Sequence, residues 1–457
     1  MYFLGVGGIG MSALARYFNH TGISVEGYDL TRTSLTDKLM SEGIDISFDD
    51  DIRSVSAGFL RSGPGPDTLV VYTPAIPVVN KIFQYFKTRE YRMVKRSELL
   101  GTLFNKGKGI AIAGTHGKTS VSVLISWLLS RTSERCNAFL GGVSKNFNSN
   151  LMVSEESRLI VAEADEYDRS FLQLKPDIAV ITSIDPDHLD VYGNFDEMKR
   201  TFLEFARQVN PGGTIICRKG LDIESDSDIT VLSYDLEGDT DYFTRNLKIG
   251  ADGLPVFDLV TPSGEYKGFK LGIPGRFNVE NAVAAIAVAL ICGVSEKEIR
   301  EGLESFKGVY RRFDIQINTP ECVYIDDYAH HPAELKACIS SIREWFPGRR
   351  LMAIFQPHLF SRTRDFALEF AESLEEADDV ILLDIYPARE EPIEGVSSDL
   401  IFDELNIKSK MLITREKLPE VIAGLKTDIV VTLGAGNIDA MVEPVKNVLT
   451  GKLKGIL

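Results

Sequence analysis

The residues best suited to chemistry are concentrated in a loop with the sequence GTHGKT, at positions 114–119. The apolar run Ile110 to Ala113 before it predicts a buried strand, and an apolar segment of helical length follows it. Strand, glycine loop, lysine, hydroxyl and helix are the parts of a phosphate-binding loop. We expect Lys118 to bridge the outer phosphates and Thr119 to offer its hydroxyl to Mg²⁺. The common pattern has a further glycine where Ile112 stands, so this loop is shorter.

Acidic residues follow two more predicted strands. Leu159 to Ala162 runs into the sequence EADE at residues 163–166, and Ile178 to Ile184 runs into DPDHLD at residues 185–190. Carboxylates at the carboxyl end of a buried strand, beside a phosphate loop, are well placed for Mg²⁺. His188, inside the second cluster, is a further candidate metal ligand. The structural alternative for the first cluster is a solvated acidic turn.

The first residues contain a second glycine loop, GVGGIG at positions 5–10. A predicted strand, Tyr2 to Val6, precedes it, a predicted helix, Met11 to Asn19, follows it, and the strand Ser24 to Tyr28 ends at Asp29. This is the dinucleotide-binding fingerprint in its usual context, which alone would favour an NAD-dependent oxidoreductase. The segment is short for a full dinucleotide fold, however. A small Rossmann-like domain that holds one nucleotide fits better, and the spacing does not say which nucleotide.

The remaining elements alternate between strand and helix, as in parallel α/β sheets. Residues 211–271 contain turns and short alternating strands typical of a β-rich insertion. An apolar helix, Ala282 to Ile291, follows Asn278 and Asn281, which lie one helical turn apart; ordinary N-capping is the alternative role for Asn278. From about residue 307 a further α/β unit is predicted, with strands at Val323 to Ile325, Leu351 to Phe355, Asp379 to Leu383, Met411 to Thr414 and Asp428 to Leu433. Polar clusters follow four of these strands, at residues 326–332, 356–362, 386–390 and 434–437, and should form one ligand-binding rim.

Length and composition limit the class of protein. The 457 residues exceed what one core usually supports and suggest about three domains. A net charge of −16 disfavours nucleic acid as a partner. Five scattered cysteines without a CxxC pair fit a reducing cytoplasm. The longest apolar run, Ala282 to Val294, is too short to cross a membrane, so no membrane partner is expected.

Taken together, the motifs resemble the Mur ligase family. The matching segments, in order along essentially the whole chain, are GVGGIGMS, GTHGKTS, EADEYDRSFL, DPDHLD, GRFNVENAVAA, YRRFD, DDYAHHP, QPHLFSRT and GAGNI. The resemblance implies an α/β protein of three domains. These are a small Rossmann-like domain that binds a UDP-sugar (1–89), a central P-loop ATPase domain with a parallel sheet (90–306) and a C-terminal Rossmann-like domain (307–457).

The resemblance also implies residue roles. The UDP-sugar would be bound by Gly7, Gly8, Gly10, Met11 and Ser12. ATP would be bound by Gly114, Thr115, His116, Gly117, Lys118, Thr119 and Ser120, with Asn281 at the adenine, Arg312 at a phosphate and Asp327 at the ribose. Thr119 and Glu163 would hold one Mg²⁺ and His188 a second, with Mn²⁺ as an alternative ion; Lys118, Glu163 and His188 are the expected catalytic residues. The amino acid would be bound by Tyr328, His330, His358 and Arg362. In the family a basic residue often follows the histidine of the QPH motif, whereas Leu359 stands here.

The implied activity is ATP-dependent amide formation, which joins L-alanine to the lactyl carboxylate of UDP-N-acetylmuramate through an acyl phosphate. This is a cytoplasmic step of peptidoglycan precursor synthesis, by a monomer or homodimer. ATP would be shared by the second and third domains, which implies open and closed forms. One alternative is the family member that reattaches recycled murein tripeptide. An NAD-dependent oxidoreductase would leave the phosphate loop and the acidic clusters unexplained. An inactive nucleotide-binding switch would need Thr119, Glu163 or His188 to be missing, and all three are present.

Overall fold

The computed structural model describes residues 1–186, 189–224, 226–388 and 390–455. The chain forms two compact units. The first unit comprises residues 1–248, 256–272 and 280–307, and the second comprises residues 249–255, 273–279 and 308–457. Most of the first two predicted domains thus falls within the first unit, but residues 249–255 and 273–279 of the second predicted domain belong to the second unit. The exact domain boundaries stay a prediction.

Short strands and helices alternate through most of the chain. The strands are β1 (Tyr2–Leu4), β2 (Glu26–Tyr28), β3 (Asp45–Ser47), β4 (Val70–Tyr72), β5 (Met93–Lys95), β6 (Lys108–Ala113), β7 (Asn137–Ser144), β8 (Ser149–Met152), β9 (Leu159–Glu163), β10 (Ile178–Ile181), β11 (Thr214–Arg218), β12 (Thr230–Tyr234), β13 (Phe243–Ile249), β14 (Pro255–Thr261), β15 (Gly264–Lys270), β16 (Asp314–Asn318), β17 (Val323–Asp327), β18 (Leu351–Phe355), β19 (Asp379–Leu382), β20 (Ser409–Leu412) and β21 (Ile429–Leu433). The α-helices are α1 (Ile9–His20), α2 (Ser34–Ser41), α3 (Ala57–Ser62), α4 (Lys81–Thr88), α5 (Arg96–Phe104), α6 (Lys118–Leu129), α7 (Leu189–Tyr192), α8 (Phe195–Ala206), α9 (Arg276–Ile291), α10 (Glu296–Glu304), α11 (Pro332–Trp345), α12 (Phe360–Asp365), α13 (Ala367–Leu374), α14 (Asp399–Glu404), α15 (Leu418–Gly424) and α16 (Val442–Leu453). Within the described ranges, no helix is both long and apolar enough to cross a membrane.

The first sheet is parallel, with strand order β3-β2-β1-β4-β5. The GVGGIG loop follows β1, the middle strand, whose three residues are fully buried. Strand β5 was not predicted, because its sequence MVK is short and lies between the basic residues Arg92 and Arg96. The first sheet therefore extends past the predicted domain boundary at residue 89.

The central sheet has the order β12-β11-β10-β6-β9-β7-β8. Strand β6, whose apolar residues Ile110 to Ala113 are fully buried, lies between β10 and β9, and all three strands are parallel. The phosphate loop, the EADE cluster and the segment from residue 182 therefore leave neighbouring strands at one edge. The antiparallel hairpin β7–β8 was not predicted, because its glycine- and asparagine-rich sequence shows no strand periodicity. In the predicted β-rich region, β11 and β12 extend the central sheet, and β13, β14 and β15 form a separate one.

The second unit contains a six-stranded sheet with the order β16-β17-β21-β18-β19-β20. Strand β16, which the sequence did not predict, pairs antiparallel with β17, and the pairings among β17, β21, β18, β19 and β20 are parallel. The four polar clusters therefore follow parallel strands of one sheet, as predicted. The prediction that β17 ends at Ile325 was wrong, since Asp326 and Asp327 continue it.

Candidate functional site

The phosphate loop depends on two glycines. Gly114 has a φ of +135° and Gly117 a φ of +81°, both in the left-handed region that favours glycine. A Cβ atom on Gly114 would lie 2.1 Å from Oγ1 of Thr182, so a side chain cannot be placed there. Ile112, where the common pattern has glycine, is a buried residue of β6 that pairs with Val180 and Glu163. The chain turns later than in the common pattern, so position 112 lies within the strand and does not require a glycine.

The segment after β10 holds the phosphate loop in place. The Thr115 hydroxyl lies 2.8 Å from the Ser183 hydroxyl, and the Thr115 backbone N–H donates to the Ser183 carbonyl at 3.1 Å. The backbone N–H of His116 donates to Oγ of Ser183 at 2.9 Å, and the His116 ring lies 3.6 Å from the Asp185 carboxylate. These contacts give Thr115 a structural role, and the geometry does not support a contact of its hydroxyl with ATP. Ser183 was not predicted, because its only signal in the sequence was its place near a strand end.

Lys118 is buried and charged. Its Nζ donates to the Gly114 carbonyl at 2.5 Å and lies 2.7 Å from Oε2 of Glu166, with side-chain exposures of 12% and 2% for Lys118 and Glu166. Burial acts to lower the pKa of Lys118, but the carboxylates of Glu166, Glu163 and Asp165 raise it above its ordinary value. Burial raises the pKa of Glu166 to about 7, and the Lys118 ammonium opposes that rise. Lys118 is therefore a permanent positive charge at the loop. Glu166 was recognised only as part of an acidic cluster.

Glu163 is suited to a hard cation. Its Oε2 is buried without a hydrogen-bond partner among the described residues, and a Cβ atom on Gly141 would lie 2.0 Å from that oxygen. Thr119, in the first turn of α6, is 4% exposed. A buried carboxylate oxygen that lacks a donor, at the end of the strand that pairs with β6, fits Mg²⁺. The third predicted ligand, His188, lies outside the described residues, and the described part of the chain contains no cluster of three or more His, Cys, Asp or Glu suited to a metal.

Asn281 is brought to the phosphate loop from helix α9. A Cβ atom on Gly117 would lie 2.8 Å from Oδ1 of Asn281, so the amide lies directly against the loop. Its contact with adenine stays a prediction, as does the role of Ser120, which is half-buried in α6. The alternative that Asn278 caps α9 was wrong. The helix begins at Arg276, and the amide of Asn278 donates to the Pro274 carbonyl at 2.6 Å.

The side chain of Asp29 holds the GVGGIG loop in place. The backbone N–H of Gly7 donates to Oδ2 of Asp29 at 2.8 Å, and a Cβ atom on Gly7 would lie 2.9 Å from that oxygen. Gly8 is the N-cap of α1, and Gly10 lies against Arg96, whose Nη1 would be 2.9 Å from a Cβ atom there. The three glycines thus meet at the N-terminus of α1, where backbone N–H groups favour an anion.

Met11 and Ser12 differ from the three glycines. Both side chains are buried, at 2% and 0% exposure. The Ser12 hydroxyl donates to the Ile9 carbonyl at 2.8 Å, and its backbone N–H donates to the Gly8 carbonyl at 2.8 Å. Ser12 therefore has a structural role here, and this geometry does not support a direct contact of its side chain with a diphosphate.

In the second unit, Asp327 supports a loop. Its Oδ2 accepts the backbone N–H of Phe313 at 2.6 Å, and its Oδ1 accepts that of Ala329 at 2.7 Å. Burial raises the pKa of Asp327 to about 6, and the Arg312 guanidinium opposes that rise. Both oxygens accept backbone N–H groups, so Asp327 fixes the loop that carries Arg312, and its contact with the ribose stays a prediction. The Arg312 guanidinium lies 4.8 Å from the centre of the Tyr328 ring.

Three of the four residues predicted to bind the amino acid lie in one aromatic cluster. The ring of His330 lies 5.3 Å from that of Tyr328 and 5.8 Å from that of His358, and Tyr386 stacks on His358 at 5.8 Å. Nδ1 of His330 lies 3.0 Å from the Tyr328 carbonyl. Arg362 is on α12, the helix that follows His358. Tyr386 was predicted only as part of the rim. Its position follows from a backbone bridge to His358, which the sequence does not reveal.

The residue after His358 has an unusual backbone conformation. Leu359 has a φ of +72°, which is strained for a residue with a branched side chain, and it precedes α12. Its N–H donates to the Tyr386 carbonyl at 3.0 Å. The strain is thus held by the contact between the two loops that carry His358 and Tyr386.

Comparison with known proteins agrees with this arrangement. Family models match residues 1–108 ("Mur ligase family, catalytic domain"), 112–289 ("Mur ligase middle domain") and 311–436 ("Mur ligase, glutamate ligase domain"). A UDP-N-acetylmuramate–L-alanine ligase from Porphyromonas gingivalis is 47% identical over 98% of each chain. This chain belongs to the Mur ligase family.

Solved structures of Mur ligases share the fold of the whole chain. The UDP-N-acetylmuramate–alanine ligase of Thermotoga maritima matches with a TM-score of 0.82 and 25% identity, and 99% of each chain is covered. A murein peptide ligase from Psychrobacter arcticus matches with a TM-score of 0.70 and 22% identity over 98% of each chain. The second likeness concerns the fold alone. The α/β architecture predicted from the Mur ligase motifs is therefore confirmed.

Proposed function

We propose that this chain joins L-alanine to the lactyl carboxylate of UDP-N-acetylmuramate and converts ATP to ADP and phosphate. The observation that carries the proposal is the 47% identity, over 98% of both chains, to a ligase named for that reaction. The phosphate loop with buried, charged Lys118 supplies the group that such a reaction needs.

A carboxylate is a poor electrophile, and an amine cannot displace oxide from it at neutral pH. Transfer of the γ-phosphoryl group of ATP to the lactyl carboxylate gives an acyl phosphate and ADP. The neutral amine of L-alanine then attacks the acyl carbon, and the tetrahedral intermediate collapses to the amide as phosphate leaves. In the first step both partners are anions, so positive charge must offset their repulsion.

Lys118 supplies a fixed part of that charge. Because three carboxylates keep its ammonium protonated despite burial, no proton has to be gained when ATP binds. The N–H groups around Gly114 and Gly117 would hold the phosphates, with Asn281 beside them. Thr119 and Glu163, with His188, would hold Mg²⁺ (two ions, or Mn²⁺ instead), which when bound supplies further positive charge to the phosphoryl oxygens.

The other substrates are assigned to the two remaining sites. The N-terminus of α1, with Gly7, Gly8 and Gly10, would receive the UDP diphosphate. The aromatic cluster of Tyr328, His330, His358 and Tyr386, with Arg362, would receive L-alanine. Asp327 would act by holding the loop of Arg312, and Arg312 would contact a phosphate of ATP. We propose domains at 1–89, 90–306 and 307–457, although the edge strand β5 of the first sheet lies just beyond the first boundary. We also propose a cytoplasmic location, where ATP and nucleotide sugars are available.

The two alternative functions explain fewer of the observations. The observation that favours murein tripeptide ligation is a structural likeness to a murein peptide ligase at 22% identity, and a likeness at that level concerns the fold only. An NAD-dependent oxidoreductase rests on GVGGIG and Asp29 alone, and it leaves the phosphate loop and the acidic clusters unexplained.

Phosphate release tests these functions together. The protein is incubated with UDP-N-acetylmuramate, ATP and Mg²⁺, and with L-alanine, glycine, L-serine or an L-Ala-D-Glu peptide in turn. We expect the largest kcat/KM with L-alanine. Preferred turnover of the peptide would instead establish the recycling ligase, and no phosphate release with any acceptor would overturn the proposal.

A further inference from the structure

The first turn of α1 is held by a residue that is 138 positions away along the chain. Asn150, on β8 of the central sheet, is fully buried. Its Nδ2 donates to the Ile9 carbonyl at 2.6 Å and to Oγ of Ser12 at 2.9 Å. The helix turn that follows the GVGGIG loop is thus bound to the sheet that carries the phosphate loop.

The same asparagine holds a second residue of α1. Oδ1 of Asn150 accepts a hydrogen bond from Nη1 of Arg16, and Arg16 also forms two bonds with Glu42, at 2.6 and 2.9 Å. Both ends of the Asn150 amide are therefore used, in a polar network that runs from the buried residues Ser12, Asn150 and Arg16 to Glu42 at the surface. A network satisfied in this way fixes one arrangement of the groups that it joins, because any shift leaves a buried polar group unpaired.

A second contact reaches the glycine loop from another side. Arg96, the first residue of α5, lies so close to Gly10 that its Nη1 would be 2.9 Å from a Cβ atom there. Its Nη2 donates to Oδ2 of Asp165 at 3.0 Å. Asp165 lies between Glu163 and Glu166, which face the phosphate loop. Arg96 therefore joins the glycine loop to the acidic loop that faces Lys118.

We propose that Asn150 and Arg96 are positioning residues, which fix the glycine loop relative to the phosphate loop so that the bound carboxylate meets the terminal phosphate of ATP. This rests on the proposed function. The two loops belong to different sheets, and each would bind its own nucleotide without the other. The reaction, however, requires the attacking oxygen within about 3.5 Å of the phosphorus, and a misplacement of about 1 Å costs on the order of 100-fold in rate. Loss of either contact should therefore separate binding from turnover.

The kinetic test uses Asn150→Ala and Arg96→Gln in the full-length protein. We expect kcat to fall roughly tenfold to 100-fold. The dissociation constants of UDP-N-acetylmuramate and of a non-hydrolysable ATP analogue, measured separately by calorimetry, should stay near the wild-type values. Asn80→Ala is the control for loss of a buried asparagine, since Asn80 caps α4 and should affect only the melting temperature. Arg350→Gln, which breaks a pair with Asp379, is the control for Arg96.

A second measurement does not depend on activity. Nitroxide labels at Lys87→Cys on α4 and Glu204→Cys on α8, both exposed, report the distance between the two sheets, in a background with Cys292→Ser. We expect Asn150→Ala and Arg96→Gln to broaden the distance distribution and Asn80→Ala to leave it unchanged. A wild-type distribution in both variants would overturn the proposal. So would a loss of UDP-sugar affinity that accounts for the whole fall in kcat/KM. If the wild type releases no phosphate, the proposed function fails, and the distance distributions still decide whether these residues fix the loop.

Discussion

The glycine loop after β1 and the phosphate loop after β6 share one design. Each follows the middle strand of its sheet, and each leads into the N-terminus of a helix of 12 residues. Each is also braced by a neighbouring segment: Asp29, after β2, holds the Gly7 N–H, and Ser183, after β10, holds Thr115 and His116. In both, backbone N–H groups and the helix terminus create a place for an anion.

The loops differ in the charge that is built into them. At the glycine loop a carboxylate already accepts one backbone N–H, whereas the phosphate loop contains the buried ammonium of Lys118. The glycine loop offers backbone amides, and the Arg96 guanidinium beside Gly10 is already paired with Asp165. Such a loop can bind a diphosphate, but it contributes little to the charge that develops during a reaction. We therefore expect changes at the glycine loop to affect KM for the sugar nucleotide and changes at the phosphate loop to affect kcat.

Among the variants that test this difference between the two loops, Lys118→Ala should have the largest effect. Removal of the ammonium leaves the repulsion between ATP and the carboxylate unopposed, so ADP formation should fall by at least roughly 100- to 1,000-fold in a coupled assay. Affinity for UDP-N-acetylmuramate should be unchanged by calorimetry. Lys108→Ala, at the exposed start of the same strand, is the control. Near-normal turnover of Lys118→Ala would refute the mechanism.

Glu166→Gln should have the next largest effect, because it keeps Lys118 but removes its buried partner. The ammonium is then left without the carboxylate that fixes it 2.7 Å away. Breaking a buried pair by removal of one member commonly costs about 3–5 kcal/mol of stability. We expect a lower melting temperature and a kcat reduced roughly tenfold to 100-fold. Glu156→Gln, at an exposed site, is the control, and an unchanged kcat would show that Lys118 needs no counter-ion.

The contrast between the loops explains what sequence could predict. Residues 110–119 contain the buried strand, both glycines, the lysine and the hydroxyl within ten positions, so the local sequence pattern was enough to predict this loop. The position of Glu163 at a strand end was also predicted, because the strand before it is plainly apolar, and its role as a metal ligand stays a prediction. The α/β class followed from alternating apolar strands and helices, whose periodicity is likewise local.

What the sequence missed depends on distant contacts. Asn150 and Arg16 are 134 positions apart, and the β7–β8 hairpin that presents Asn150 has no strand periodicity. The resemblance placed Asp327 at the ribose, but the sequence did not show that both of its oxygens accept backbone N–H groups. Asn278 looked like a cap, but Pro274 and Gly275 let α9 begin earlier, at Arg276. In each case the residue type indicated a polar contact, but the sequence did not show which group that contact is made with.

Asp29→Ala tests the glycine loop itself. It removes the acceptor of the Gly7 N–H, so the loop loses one brace of about 1 kcal/mol. We expect KM for UDP-N-acetylmuramate to rise about fivefold with little change in kcat. Asp29→Asn keeps an acceptor oxygen and should have a smaller effect. A fall in kcat at constant KM would show that the two loops do not divide binding and chemistry in this way.

Tyr192→Phe should have the smallest effect. It tests whether Lys118 is positioned by the carboxylate of Glu166 or by the backbone at residue 166. The buried Tyr192 hydroxyl donates to the Glu166 carbonyl at 2.6 Å, and the same carbonyl also accepts the Arg169 N–H at 3.0 Å. Since that second bond remains, the variant should lose only about 1 kcal/mol of stability, or a few degrees in Tm. Its kcat should stay within about twofold of wild type, because the Lys118–Glu166 pair is intact. A kcat as low as that of Glu166→Gln would mean that the backbone at residue 166, and not its carboxylate, sets the position of Lys118.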